Sequence, residues 1–279
     1  MKDKYEIEQK WRNATIQNNF IFGKTMEMHP KICRKLIELI LKISINKIHY
    51  PEREKVIESR TDSKGIRLDV YIEDEKNRSF DVEMQISNSD NIPKRMRYYQ
   101  GLIDGDKLKR GQHYSALGES YIIFICPFDR FKCGRHIYTF RERCDEDTSL
   151  TLNDGAVKIF LSTKGILNDI SEELKNFLNY VDRNVVVDKF TRDLDIAVES
   201  VKRNEKARLE FMTFEMYMKE REMEGEERGR NEGREEGYIQ MVKNLFLANT
   251  PMEYIIKATG WSEEKILQVL KNENEQDKI

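Results

Sequence analysis

The sequence predicts an α/β fold, a mixed central sheet flanked by helices, followed by an α-helical extension at the C-terminal end. Three observations carry this. After Pro30, the residues Ile32, Leu36, Leu39, Ile40 and Ile43 recur on one helical face. The stretch "GIRLDVYIEDEKNRSFDVEMQI" over 65–86 alternates apolar and polar residues in two segments around a polar connection. "SYIIFICPF" (Ser120 to Phe128) is a continuous apolar run rich in β-formers, the pattern of a strand buried on both faces.

Taken in order, the first element is a helix over about Pro30 to Lys42. "EKVIESRTDSKG" follows as a strand that ends in a turn-like Asp-Ser-Lys-Gly, and the alternating stretch supplies two further strands joined by "EDEKNRS". "NIPKRMRYYQGLIDGDKLKRG" reads as a helix with Asn91 as its N-cap, two residues before Pro93. Strands follow at 120–128, 136–140 ("HIYTF") and 157–161 ("VKIFL"), and the domain is expected to close near residue 180.

Beyond that point helical patterning takes over, first with Leu174, Phe177, Leu178 and Val181, then with Phe190, Leu194, Ala197 and Val201. "EGEERGRNEGREEG" sets Gly225, Gly229, Gly233 and Gly237 four apart among charges. Each glycine costs a helix roughly 1 kcal/mol relative to alanine. The segment is therefore a soft helical arm or a flexible spacer, and a solvated connector is preferred over a glycine stripe for helix contact. In the tail, Thr250, Pro251 and Glu253 read as a capping box closed by Gly260, and a second helix restarts at Ser262. The expected division is a core domain over 1–180, a charged helical arm over 181–240 and a small helix-turn-helix-like tail over 241–279.

A chain of 279 residues can bury a sizeable core, and with 39% hydrophobic and 35% charged residues it has a highly charged surface. Its 48 basic and 50 acidic residues nearly cancel, so any polyanion site must be a local patch. No apolar run is long enough to cross a bilayer and "MKDKYEIEQK" has no apolar signal core, which sets a cytoplasmic location without membrane contact as the expectation. Cys33, Cys126, Cys133 and Cys144 are not at zinc-ligand spacing, and reduced thiols are expected instead.

The chemistry concentrates in the alternating stretch. Residues two apart in a strand face the same side, so Asp81, Glu83 and Gln85 share one face. If the preceding strand pairs antiparallel across "EDEKNRS", Asp69 lies close to Glu83. Like charges opposed on neighbouring strands destabilise a sheet. A divalent cation between them removes that cost, and two hard carboxylates suit Mg2+ or Mn2+. From the residues alone, a pair of strand-end charges facing solvent fits as well.

An Asp, a gap, then Glu-x-Lys or Glu-x-Gln at the end of the next strand is the motif of the PD-(D/E)XK nuclease superfamily. The blocks "GIRLDVYIED", "DVEMQ", "PKRMRYYQGLID", "SYIIFICPFDRFKCGRHIYTF" and "VKIFLSTKG" resemble the Rpn group, recombination-promoting nucleases often labelled transposases, over roughly residues 13–170. The resemblance implies a PD-(D/E)XK restriction-endonuclease-like core and a DNA endonuclease dependent on Mg2+, with Mn2+ able to substitute, linked to recombination or mobile DNA. It makes Asp69 and Glu83 the metal ligands and Asp69, Glu83 and Gln85 the catalytic set. Gln85 stands where most of the superfamily carries Lys; it can orient a water but supplies no fixed charge. That departure supports the alternative, a catalytically weak or inactive nuclease-fold protein that binds DNA or assembles.

Between Asn91 and Ser115 lie six basic residues (Lys94, Arg95, Arg97, Lys107, Lys109, Arg110) against the acids Asp104 and Asp106. Lys94, Arg95 and Arg97 follow directly on the acidic strand and are the expected DNA-binding residues. Tyr98 and Tyr99 are expected in the core, Glu38 on a solvent-facing helix surface, and His136 at a strand edge. In the tail, Ile256 stands where a helix-turn-helix has a small residue, and Glu263 and Glu264 open the second helix. A protein–protein element that makes a homodimer through the helical C-terminal region is the expectation there.

Overall fold

The computed structural model describes residues 2–49, 52–57 and 66–276. Within these the chain forms two compact units, Met1–Met212 and Thr213–Ile279. The first unit is built on a six-stranded mixed sheet of β1 (Glu52–Ile57), β2 (Ile66–Glu73), β3 (Ser79–Met84), β4 (Ser120–Cys126), β5 (Ile137–Phe140) and β6 (Ala156–Ser162). Their order across the sheet is β1-β2-β3-β4-β6-β5. β2 is antiparallel to both β1 and β3, while β3, β4 and β6 are parallel, and β5 closes the edge antiparallel to β6. Every residue of β4 is buried, as its unbroken apolar run requires. The Asp-Ser-Lys-Gly turn expected at 62–65 lies outside the described residues.

The helices of this unit are α1 (Lys2–Asn13), α2 (Asn19–Met28), α3 (Pro30–Leu41), α4 (Ile92–Lys107), α5 (Glu172–Arg183) and α6 (Lys189–Lys202). Neither α1 nor α2 is announced by the sequence patterning, and for α2 the reason is physical. α2 lies between the β1–β3 part of the sheet and α6. It buries Phe20, Ile21, Phe22 and Met26, so it is apolar on most of its circumference and lacks an amphipathic period. Its start is nonetheless marked by Asn18, whose side-chain oxygen accepts from the amides of Phe20 (3.0 Å) and Ile21 (3.2 Å). α4 begins after Asn91 as expected, but the Asn91 side chain does not cap it; its Oδ1 accepts from Ser89 Oγ at 2.7 Å.

The first unit extends past the boundary expected near residue 180. α5 and α6 pack on α3 and α2, and Gln17 donates to the Val181 carbonyl at 2.8 Å. Phe211, at the start of α7 (Glu205–Leu247), is fully buried with its ring 5.1 Å from Trp11 and 5.3 Å from Phe20. Residues 181–212 thus belong to the sheet domain because their apolar faces are used there.

The glycine-rich stretch is not a flexible spacer: it lies inside the 43-residue helix α7. A Cβ at Gly225, Gly229, Gly233 or Gly237 would meet nothing within 4 Å, so no helix of the described chain packs on the glycines. In the second unit, Val242, Ile255 and Ile266 form a small core from α7, α8 (Met252–Thr259) and α9 (Glu263–Gln276), with Ile256 and Trp261 packed against it. The expected capping box is displaced: Pro251 takes the N-cap position of α8 and no side chain caps it. Gly260 ends α8 in the left-handed conformation, φ 70°, as expected. No described helix is long and apolar enough to cross a membrane.

Candidate active site

The site is set by a turn. Between β2 and β3, Asp74 Oδ1 accepts from the amides of Lys76 (2.9 Å) and Arg78 (3.0 Å), while Arg78 Nε donates to Asp74 Oδ2 at 2.6 Å. Asn77 adopts the left-handed conformation with φ 60°. Gly118 seats against this turn so closely that a Cβ there would stand 2.0 Å from the Asn77 carbonyl oxygen. The turn fixes the register Glu73↔Ser79, Tyr71↔Asp81 and Val70↔Val82.

One step further the hairpin opens. β3 stays paired to β4 through Glu83↔Phe124 and Met84↔Ile125, and β2 stays paired to β1 through Leu68, Arg67 and Ile66. Asp69 and Glu83 face each other at the fork. The Asp69 amide donates to Glu83 Oε1 at 2.8 Å, and the Met84 amide donates to Asp69 Oδ2 at 3.1 Å. Each carboxylate thus takes the place of a backbone carbonyl where the ladder ends.

The electrostatics of the fork favour a cation. Glu83 is only 4% exposed. Burial first, and then the charge of Asp69, push its pKa up to about 8, against the opposing pull of Arg95. Asp81, on the same face, is fully buried and raised for the same reasons, with Glu83 and Asp69 as its repelling neighbours. Neither Asp81 oxygen meets a protein donor, and the Glu83 carboxyl that it faces is an acceptor unless one of the two holds a proton.

Arg95 supplies the positive charge. Its Nη2 lies 3.8 Å from Glu83 Oε2, its Nη1 donates to Gln85 Oε1 at 2.8 Å, and its Nη2 donates to the Tyr99 hydroxyl at 3.2 Å. The guanidinium also lies over the rings of Tyr99 (5.5 Å) and Phe124 (5.4 Å). The other end of the Gln85 amide donates to the Ser87 carbonyl and to Ser87 Oγ. Arg130 in turn pins the loop before α4 through Asn88 Oδ1 (2.9 Å) and the Ser89 carbonyl (2.8 Å).

The structure therefore brings Asp69, Glu83, Gln85 and Arg95 together. Lys94 and Arg97, on the same helix, point outward and are exposed. Lys107 is held at the β2–β3 turn: its ammonium donates to Ser79 Oγ (2.8 Å) and the Asn77 carbonyl (3.1 Å). Glu38 does not face solvent freely; its carboxylate accepts from the Ile45 amide at 2.9 Å. His136 is buried, its Nδ1 2.9 Å from Asp169 Oδ1. Asp81 was visible in the strand alternation, yet only the packed sheet reveals that nothing satisfies it. The roles of Tyr99, Ser87 and Arg130 carry no local sequence signal.

The donors suit a hard divalent ion. Among the described residues no group of three or more His, Cys, Asp or Glu could hold a metal, which sets aside a zinc-type cage. A pair of carboxylates is what Mg2+ uses when waters and substrate phosphate complete its shell.

A mixed sheet whose β2–β3 hairpin opens around two acids, flanked by helices, is the PD-(D/E)XK nuclease core. The family model for PD-(D/E)XK nuclease family transposases matches residues 19–236, and the chain belongs to that family. Nucleases of this kind generally use divalent metal ions. No curated protein and no solved structure gives a significant match.

Proposed function

We infer that the protein is a metal-dependent DNA endonuclease that hydrolyses phosphodiester bonds, in keeping with a role in recombination or mobile DNA. The observation that supports this most is the Asp69–Glu83 pair at the hairpin fork, with Glu83 buried, Asp69 half-buried, each repelling the other, and the Arg95 guanidinium beside them. Asp69 and Glu83 would hold Mg2+, with Mn2+ able to substitute. When bound, the ion lowers the pKa of its water and offsets charge growing on the phosphate. Asp69 and Glu83 fix the position of that charge at the sheet edge. Gln85 orients Arg95 through the 2.8 Å bond, and Arg95 provides the cation that Lys supplies elsewhere in the superfamily. Lys94 and Arg97, exposed on the same helix, would meet flanking phosphates.

The engagement of Gln85 at both ends of its amide supports a second reading, a nuclease scaffold that binds DNA and assembles but cuts weakly, since the amide that would orient a water is already held by Arg95 and Ser87. Incubation of purified protein with supercoiled plasmid separates the two. The endonuclease reading expects nicked or linear product with Mg2+ or Mn2+ and none with EDTA. A protein that retards the plasmid but leaves it intact at every metal concentration supports the second reading instead.

A further inference from the structure

The sheet face that carries the acids carries a second feature two strands away. Glu83 pairs with Phe124, Phe124 with Phe160, and Phe160 with Tyr138; in the next row Asp81 pairs with Ile122, Ile122 with Lys158, and Lys158 with Phe140. At a strand spacing of about 4.8 Å, β6 lies roughly 10 Å and β5 roughly 14 Å from the acidic strand. Over β6 and β5 opens a cleft of about 420 Å3 between the sheet and α4.

Its floor is aromatic. Phe131 lies 5.2 Å from both Phe140 and Phe160, edge to face with the latter. Phe140 is 43% exposed on the edge strand, so its ring is open to the cleft it lines. Its rim is cationic: Arg97 from α4, Arg141 following β5 and Lys158 from β6. These three make no hydrogen bond or ion pair among the described residues, and Glu142 is the one acid lining the cleft. An apolar aromatic floor inside a ring of uncommitted cations matches a ligand that is flat and apolar in its middle and anionic on both sides. A nucleotide is such a ligand.

Resting on the endonuclease reading above, we propose that this cleft stacks an unpaired base of the strand being cut. Phe140 and Phe131 offer the stacking surface, and Arg97, Arg141 and Lys158 hold the phosphates on either side of the base. A separation of 10–14 Å, estimated from strand spacing, spans a few nucleotides at about 3.4 Å each. The site thus favours DNA with a single-stranded tail, gap or branch next to the scissile bond over a fully paired duplex.

The test is equilibrium binding of the full chain, in Ca2+, to a blunt duplex and to the same duplex with a single-stranded tail. Wild type is expected to prefer the tailed DNA by on the order of ten-fold. Phe140→Leu, which keeps an apolar side chain but no ring, should lose that preference, whereas Phe140→Trp should keep it. Arg97→Gln should weaken the tailed DNA more than the blunt duplex and flatten the salt dependence of tailed binding by about one ion. A Phe140→Leu protein that melts like wild type yet retains the full preference overturns the proposal, as does a wild type with none. Binding to neither DNA removes the endonuclease reading as well.

Discussion

Asp69 and Glu83 stand opposite one another where β2 leaves β3, and each carboxylate accepts an amide of the other's strand, at 2.8 Å and 3.1 Å. These bonds let the acids be neutralised without loss of the fork, because Asn and Gln retain an accepting oxygen. Asp69→Asn and Glu83→Gln should therefore fold normally. Each should lose plasmid cleavage by about 10²–10³-fold, the scale of several kcal/mol of charge stabilisation. Cleavage at the wild-type rate by either variant would remove these residues from the chemistry.

Arg95 touches Glu83, Gln85 and Tyr99 from one side chain. Arg95→Ala should cut turnover by about 10²-fold, as expected for loss of one preorganised donor, while Arg97→Ala should mainly weaken DNA binding. Single-turnover rates at saturating DNA distinguish the two. If Arg95→Ala changes affinity alone, its part is phosphate positioning and the fixed charge comes from elsewhere.

The pH response has a definite sign. The pKa of Glu83, about 8 in the folded protein, stands above its ordinary value of 4.5, so the native state keeps a proton that the unfolded chain releases between these values. The stabilising contribution is fully present below about 4.5 and is lost as pH rises towards about 8. The raised Asp81 acts in the same direction. Denaturant midpoints of the metal-free protein should fall over that window more steeply for wild type than for Glu83→Gln. Parallel pH profiles would contradict the shift.

Gly118 ties the β2–β3 turn to the loop before β4. In Gly118→Ala, a Cβ set 2.0 Å from the Asn77 carbonyl oxygen must displace backbone. A loss of about 1–3 kcal/mol is expected from overpacking, together with reduced cleavage, because the turn sets the register that opposes Asp69 to Glu83. Urea unfolding and plasmid cleavage on the same sample test both effects; an unchanged midpoint would show that the loop yields freely.

Strand content was legible because β2 and β3 alternate and β4 is uniformly apolar, and two-residue periodicity put Glu83 and Gln85 on one face. The antiparallel pairing that opposes Asp69 followed from the short polar connection. α2 was illegible because a helix buried nearly all round has no stripe. Of the two readings left open for the glycine-rich part of α7, the helical arm is the one that forms, because flanking good helix formers outweigh the glycine cost, and the bare glycines agree with a solvated arm rather than a contact stripe. Arg95 was expected on DNA as one of several basic residues; only tertiary packing shows that it reaches back to Gln85 and Glu83 while Lys107 is consumed by the β2–β3 turn.

That a single divalent cation sits between Asp69 and Glu83 is open to direct measurement by calorimetric titration of Mn2+ into the wild type and into Asp69→Asn and Glu83→Gln. The expected outcome is one site per chain in the wild type, with affinity reduced at least about ten-fold in each variant. Equal Mn2+ affinity in all three proteins, or a wild type that binds none, would mean that the hairpin fork is not a metal site.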